Sequence, residues 1–376
     1  MSPHFPPEIT SLPHLQTLVT AGITDWKPYG DVGTDTDGDL IIFNYTPKAQ
    51  YAGRWNFFER VSRGLILNRL TGEIVARPFD KFYNYNEPGR KATGHLVTVT
   101  EKMDGSLGIL YRSASQSASF QGEKYRIATR GAFHSDQAEW ATRFLNQTYD
   151  LSDLPDELTL LFEIIYPENR VIVDYHGQES LTLLAARNRF TGDYLPFYPA
   201  VYDLGQQYGF PLPQTFYFNN VSEIIARAGT LDESEEGFVL EFSDGQRFKI
   251  KGDKYLELHK LVFGLSFKHT LEAYQTGTVD YIRSQIPDEF LAEFNGWVTE
   301  IETTITQTLA AIETAFAAAP KTQRREYALW VQENQLELSP YLFAKIDGKS
   351  LMPLIYKLAF QNRGDERVVK YSENTA

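Results

Sequence analysis

Short apolar segments separated by turn-forming residues dominate the chain from about residue 40 to about residue 252. Such segments, rich in aromatic and β-branched residues and bounded by Gly, Pro, Asn or Asp, are typical of strands. Two helices are predicted among them, at Asp136–Asn146 with Ser135 as N-cap and at Ser222–Ala228. The predicted strands are Leu40–Tyr45, Leu96–Thr100, Leu158–Tyr166, Val171–Tyr175, Leu181–Ala186, Phe238–Phe242 and Arg247–Lys251.

Beyond Gly252 the apolar positions change to helical spacing. The predicted helical segments are Asp253–Tyr274, a long stretch that opens at Pro287 and Asp288 and ends at Ala319, Gln323–Asn334 and Ser350–Phe360. The pattern therefore predicts an α+β domain built on sheets, residues 1–252, followed by an all-α domain, residues 253–376. One continuous α+β domain is the alternative.

The composition narrows the classes of function. The 376 residues include 36 lysines and arginines and 49 aspartates and glutamates, a net charge of −13, so any nucleic-acid surface must be local. The chain has no cysteine, which excludes disulfides, thiolate zinc sites and a cysteine nucleophile. The first residues lack the basic and apolar regions of a secretory signal, and no apolar run is long enough to span a bilayer. We expect no membrane association and a cytoplasmic location, in a bacterial or phage-infected cell.

Lys102 lies at the end of a predicted strand, followed by Met103-Asp104-Gly105, which favours a tight turn into a second strand at Leu107–Tyr111. A lysine held there is rigid, and it becomes a nucleophile when nearby cations or desolvation lower its pKa. A surface lysine in an ordinary hairpin is the alternative.

A second hairpin is predicted around Ser243–Gln246, and its second strand carries a row of cations. Arg247, Lys249 and Lys251 fall on one face, because Phe248 and Ile250 take the other. Such a row faces either solvent or an anion. Glu235-Glu236-Gly237 leads into the partner strand, so carboxylates and the row of cations lie on adjoining strands. A binding site for a polyphosphate and a metal is one interpretation of this arrangement.

Further charged residues stand in apolar surroundings. Glu163 interrupts an apolar strand, where an unpaired carboxylate costs several kcal/mol, so it requires a cation, a metal or good donors. An internal salt bridge to Arg170 or Arg187 is the alternative. Upstream, Arg63 and Lys81 add cations, and Phe82 and Tyr83 add rings suited to a base or to a core.

In this order the segments resemble motifs of the covalent nucleotidyltransferase superfamily of ligases and capping enzymes. Lys102–Gly105 is similar to the nucleotide-accepting lysine motif, Phe162-Glu163 to the third motif, Glu236–Val239 to the fourth and Lys249–Lys251 to the fifth. With Ser62-Arg63-Gly64, the segment Arg77–Asn84 and the segment Glu163–Arg170, the chain most resembles the T-even phage RNA ligase 1 family. The resemblance covers about residues 50 to 260 and implies a nucleotidyltransferase domain built on antiparallel sheets.

The resemblance implies a role for each matched residue. Lys102 is the nucleophile that takes AMP from ATP, and Lys249 and Lys251 contact the AMP phosphate and depress the pKa of Lys102. The remaining implied ATP contacts are Arg63 and Lys81 for the triphosphate, Glu101 for adenine, Tyr83 for stacking where relatives carry Phe, Glu163 and Glu236 for ribose and Mg²⁺, and Gly105 and Gly237 for close backbone approach. A further family basic residue is assigned to Arg130.

The implied activity is ATP-dependent sealing of RNA that carries 5′-phosphate and 3′-hydroxyl ends, through lysyl-AMP and RNA-adenylate intermediates. The family comparison suggests tRNA as substrate, with the helical domain giving tRNA preference, and we expect a monomer. A DNA ligase or a capping-type guanylyltransferase is one alternative, although no terminal oligonucleotide-binding barrel follows the fifth motif. A non-catalytic RNA-binding relative is the other, although such a module needs no lysine nucleophile.

Overall fold

The computed structural model describes residues 8–87, 89–113, 123–262, 264–286 and 288–362. The chain divides into two compact units, residues 1–262 and 263–376. The first unit therefore ends ten residues after the predicted boundary at Gly252. The difference arises because the helix at 253–262 packs on the sheet-based unit through Tyr255, which contacts Ile172 and Val173.

Three sheets form the first unit in the described part of the chain. Numbered in chain order, the strands are β1 Val32–Asp37, β2 Leu40–Tyr45, β3 Arg63–Asn68, β4 Ile74–Ala76, β5 Tyr83–Asn84, β6 Leu96–Glu101, β7 Ser106–Arg112, β8 Tyr125–Ala128, β9 Leu158–Ile165, β10 Ser180–Asn188, β11 Thr215–Phe216, β12 Gly237–Phe242 and β13 Arg247–Lys251. The first sheet has the order β1-β2-β3-β4, the second β10-β9-β7-β8 and the third β11-β6-β12-β13-β5. The predicted antiparallel pairing is confirmed except between β13 and β5, which run parallel.

Helices cover these sheets and make up the second unit. In the first unit they are α1 Leu12–Thr20, α2 Pro47–Ala52, α3 Phe57–Val61, α4 Asp136–Thr148, α5 Tyr202–Tyr208, α6 Val221–Ala228 and α7 Asp253–Val262. In the second they are α8 Phe267–Thr276, α9 Val279–Gln285, α10 Asp288–Ala318, α11 Arg324–Asn334, α12 Ser339–Ile346 and α13 Met352–Asn362. The predicted helical C-terminal region is therefore confirmed. Pro287, named as the start of the long helix, lies outside the described residues. None of the described helices is long and apolar enough to cross a membrane.

Local patterns account for several elements. The N-cap of α4 is Ser135, whose hydroxyl accepts from the amide of Ala138 at 3.2 Å. In β13, Phe248 and Ile250 are buried against α6, and the three cations lie on the other face, as the alternation predicts. The hairpin from β12 to β13 forms with the expected antiparallel register.

The predicted helical segment Asp253–Tyr274 is interrupted, because residues 264–266 are not helical and separate α7 from α8. Two predictions in the first unit are wrong. The turn after Lys102 does not close a hairpin, because β6 belongs to the third sheet and β7 to the second. The segment Val171–Tyr175 is not a strand, because the amides of Ile172 and Val173 both donate to Asp104 at 2.8 Å instead of to a neighbouring strand.

Candidate active site

The third sheet holds Lys102 at the point where the chain leaves for the second sheet. The amide of Lys102 donates to the carbonyl of Gly237 at 2.8 Å, so the pairing with β12 continues one residue past β6. Strand alternation therefore places the Lys102 side chain on the face that carries Lys249 and Lys251.

Glu236 joins two of these lysines. Its carboxylate lies 2.7 Å from Nζ of Lys102 and 3.3 Å from Nζ of Lys251, and its side chain is only 3% exposed. Water screens such buried ion pairs poorly, so the carboxylate fixes both ammonium groups relative to each other. We call Lys102, Glu163, Glu236 and Lys251 the lysine pocket.

Glu163 reaches this pocket from β9 of the second sheet. The amide of Gly105 donates to its Oε1 at 2.9 Å. Burial raises the pKa of Glu163 to about 8; the charge of Lys102 opposes this rise, and those of Glu236 and Asp104 add to it. Without a cation bound to it, the Glu163 carboxyl group therefore keeps its proton to higher pH than an exposed glutamate does, and a cation placed beside it would favour the ionised form.

The alternative explanation of Glu163, an internal salt bridge to an arginine, is wrong for both residues proposed. Arg170 pairs with Asp174 at 2.8 Å, and Arg187 pairs with Asp80 at 2.9 Å. The sequence could not reveal this, because Arg187 and Asp80 are 107 residues apart.

Asp104 stabilises the turn that follows Lys102 through hydrogen bonds. Its carboxylate accepts from the amides of Ile172 and Val173 and from the hydroxyl of Tyr255, each at 2.8 Å. The sequence places Asp104 in the turn but predicts neither its hydrogen-bond partners nor the contact with Tyr255. An aspartate in the turn, two residues after the lysine, was a usable signal for Asp104, whereas Tyr255 has the spacing of any apolar position of α7.

Gly105 and Gly237 both allow backbone to pass close by. A Cβ on Gly105 would lie 2.5 Å from the carbonyl oxygen of Ile164, and one on Gly237 would lie 2.1 Å from that of Ile250. Gly237 also has φ +148°, which disfavours other residues. The approach is made by the protein's own backbone; the predicted approach of a nucleotide stays a prediction.

A second group of cations, which we call the cationic cluster, consists of Arg63, Lys81 and Arg130. The Nζ of Lys81 lies 4.9 Å from the Trp55 ring and 5.7 Å from the Tyr45 ring, and Arg130 lies 5.3 Å from the Tyr45 ring. Nη1 of Arg130 also donates to the Tyr45 hydroxyl at 3.4 Å. Ring faces attract such cations and hold them in place.

Arg63 is included because its guanidinium lies 5.3 Å from the ring of Phe82, the residue after Lys81. The backbones also pass close to each other, since a Cβ on Gly64 would lie 3.2 Å from the carbonyl oxygen of Arg130. Nη1 of Arg63 is buried and has no hydrogen-bond partner among the described residues. A buried guanidinium N–H without an acceptor fits an incoming anion such as a polyphosphate.

Two predicted ATP contacts lie on the opposite face of the third sheet from Lys102. Tyr83 pairs with Phe248 in register and is 9% exposed, with Arg90 4.1 Å from its ring. Glu101 pairs with Phe238, and burial raises its pKa. The predicted stacking of Tyr83 and the predicted adenine contact of Glu101 remain predictions.

Two carboxyl groups of the lysine pocket are the candidate ligands for a metal ion. Within the described ranges, no group of three or more acidic, histidine or cysteine side chains is arranged to hold an ion. Glu163 and Glu236 supply two carboxylates, and Mg²⁺ is commonly held by one or two carboxylates together with substrate phosphates. The pocket therefore fits Mg²⁺ only in company with a phosphate-bearing ligand.

Comparisons with known proteins show the family to which the chain is related. A family model described as RNA ligase matches residues 61–256, just over half of the chain. A protein of Autographa californica nuclear polyhedrosis virus, named as a bifunctional polynucleotide kinase/RNA ligase, is 30% identical over 260 residues, which cover 60% of this chain and 34% of that protein. RNA ligase 1 of Bacteriophage TS2126 is 29% identical over 178 residues, 42% of this chain and 40% of the relative.

Among solved structures, an archaeal ATP-dependent RNA ligase is 16% identical with a TM-score of 0.44, covering 85% of this chain and 86% of that one. The chain spans between about one third and two thirds of the length of the curated relatives it matches.

Proposed function

Because the chain belongs to the RNA ligase family, we propose that it is an ATP-dependent enzyme that seals RNA ends carrying a 5′-phosphate and a 3′-hydroxyl. The observation that carries the proposal is the lysine pocket itself. A strand-end amine, a buried carboxylate and a second lysine converge there with a carboxyl group from another sheet. All four side chains fall inside the matched residues 61–256.

The first step forms a covalent bond to the protein. The lone pair of Lys102 Nζ bonds to the α-phosphorus of ATP, the bond from that phosphorus to the bridging oxygen breaks, and pyrophosphate leaves with the electron pair. Lys102 is ion-paired with Glu236, so its ammonium proton must be lost, finally to solvent, before or during attack. Lys249 and Lys251 then offset the charge of the transferred phosphate.

Two later steps complete the sealing. An oxygen of the RNA 5′-phosphate attacks the lysyl-AMP phosphorus, the P–N bond breaks, and Nζ of Lys102 leaves with the electron pair and takes up a proton from solvent. The 3′-hydroxyl oxygen then attacks the activated 5′-phosphorus, AMP leaves, and the hydroxyl proton passes to solvent. Each step exchanges one bond to phosphorus for another.

The remaining residues bind and orient. Arg63, Lys81 and Arg130 would hold the triphosphate, and Glu163 and Glu236 would hold Mg²⁺. When bound, the metal supplies positive charge that neutralises the phosphates.

Incubation with α-labelled ATP or GTP and Mg²⁺ tests the proposal. Wild-type protein should become labelled by ATP alone and then seal phosphorylated RNA, whereas Lys102→Ala should do neither. Lys254→Ala is the matched control, because Lys254 lies three residues beyond Lys251 with its side chain 49% exposed. Labelling by GTP would favour a guanylyltransferase, and labelling of Lys102→Ala would mean that another residue is the nucleophile.

We further propose tRNA as the natural substrate, acted on by a monomer in the cytoplasm. The support is the family resemblance. Sealing of a nicked tRNA should be faster than sealing of an unstructured RNA of equal length. Removal of residues 263–376 should reduce that difference if the second unit supplies the preference. Equal rates on both RNAs would contradict the tRNA assignment.

A further inference from the structure

Four large rings in the described part of the first unit are exposed to solvent: Phe190, at 55%, and three tyrosines. Tyr198 is 48% exposed, Tyr202 is 39% exposed and Tyr217 is 93% exposed. Tyr198 and Tyr202 stack on each other, with ring centroids 5.3 Å apart and planes 30° apart. Single exposed rings are common, but rings gathered on one surface often mark a binding site.

Tyr198 forms a hydrogen bond with the edge strand of the third sheet. Its hydroxyl lies 3.2 Å from Oγ1 of Thr215 in β11. The stacked pair therefore lies on the side of β11 to which the Thr215 side chain points.

Tyr217 lies on that same side. Phe216 and Phe218 both contact the buried ring of Phe238, at centroid distances of 5.1 and 5.7 Å. Side chains alternate along an extended chain, so Thr215 and Tyr217 point away from this core.

This surface is continuous with the face that carries the predicted nucleophile. Thr215 pairs with Thr100, Thr100 pairs with Val239, and Val239 pairs with Lys249, which forms one row across four strands. Lys102 lies two residues beyond Thr100 on the same face, about 7 Å along the strand.

We propose that Tyr198, Tyr202 and Tyr217 stack unpaired bases of the RNA next to the end that is joined, an inference that rests on the proposed function. Tyrosine rings accept the flat face of any base, so the platform is independent of sequence.

The proposal is tested with RNA binding and self-adenylylation measured on the same variants. Tyr217→Ala and Tyr202→Ala should each weaken binding of a phosphorylated single-stranded RNA about fivefold or more. The rate of labelling by ATP in the absence of RNA should stay unchanged. Tyr198→Phe should bind normally, because it keeps the ring and loses only the hydroxyl contact. Tyr281→Ala, at a 68% exposed position of the second unit, is the control.

An RNA that lacks the three bases nearest the join sharpens the test. Such abasic RNA should bind wild type and Tyr217→Ala equally, since no base remains to stack. A persistent difference on abasic RNA, or unchanged affinity for normal RNA, would overturn the proposal. A change in the ATP dependence of labelling would assign the rings to the nucleotide pocket, and a change in oligomeric state alone would assign them to a protein interface; either result overturns it. Absence of labelling in wild type would instead refute the proposed function, while the binding comparison would still stand.

Discussion

The lysine pocket and the cationic cluster hold their charges in different ways. In the lysine pocket two lysines meet two glutamates, and Glu236 bridges Lys102 and Lys251. In the cationic cluster Lys81 and Arg130 lie beside the Tyr45 ring and Arg63 beside the Phe82 ring, and a buried N–H of Arg63 has no hydrogen-bond partner among the described residues. The first region is organised before any ligand binds, whereas the second is suited to receive an anion. We infer that reactivity resides in the first and triphosphate affinity in the second.

Removing a lysine from the face beside Lys102 should have the largest effect. Lys249→Ala and Lys251→Ala should each slow single-turnover formation of lysyl-AMP by at least about a hundredfold, because each removes charge that stabilises the transferring phosphate. Quenched-flow labelling at saturating ATP measures this rate, with Lys254→Ala as control. Near-normal rates in both variants would remove these lysines from the chemistry.

Changes in the cationic cluster should have a smaller effect of another kind. Arg63→Ala and Arg130→Ala should raise the ATP concentration needed for half-maximal labelling about tenfold, as expected for loss of one charge-assisted contact. The rate at saturating ATP should change less. If the saturated rate falls a hundredfold while the concentration dependence is unaltered, the division between the two regions is wrong.

The smallest expected effect is on stability. The pKa of Glu163 is raised from 4.5 to about 8 in the folded protein, so between these values the folded state keeps a proton that the unfolded state has lost. This group therefore makes the free energy of unfolding fall as the pH rises from about 4.5 to about 8. Glu163→Gln should flatten that fall in denaturant titrations, and Glu168→Gln, at an exposed position, should not. A parallel pH dependence in wild type and Glu163→Gln would contradict the shift.

Local sequence predicted the elements whose partners lie nearby. The hairpin of β12 and β13 forms as expected, since its turn and its alternation lie within fifteen residues. The turn at Lys102 could not be predicted, because β6 pairs with β12 and β7 pairs with β9, both far along the chain. Val171–Tyr175 has a strand-like composition, yet the distant Asp104 takes two of its amides.

The candidate site shows the same limit. Residue types at motif positions identified Lys102, Glu163, Glu236 and Lys251, which the fold brings together. The position of Tyr83 on the opposite face of the third sheet depends on its pairing with β13, which no local pattern reveals. The hydrogen bond from Tyr255 to Asp104 joins residues 151 positions apart, so it likewise could not be predicted from local sequence.

Mass spectrometry of the purified protein after incubation with ATP and Mg²⁺ tests the central claim most directly. We expect one added AMP, mapped by peptide sequencing to the side-chain nitrogen of Lys102 and absent from Lys102→Ala. An adduct on any other residue, or none under conditions in which phosphorylated RNA is sealed, would contradict the account.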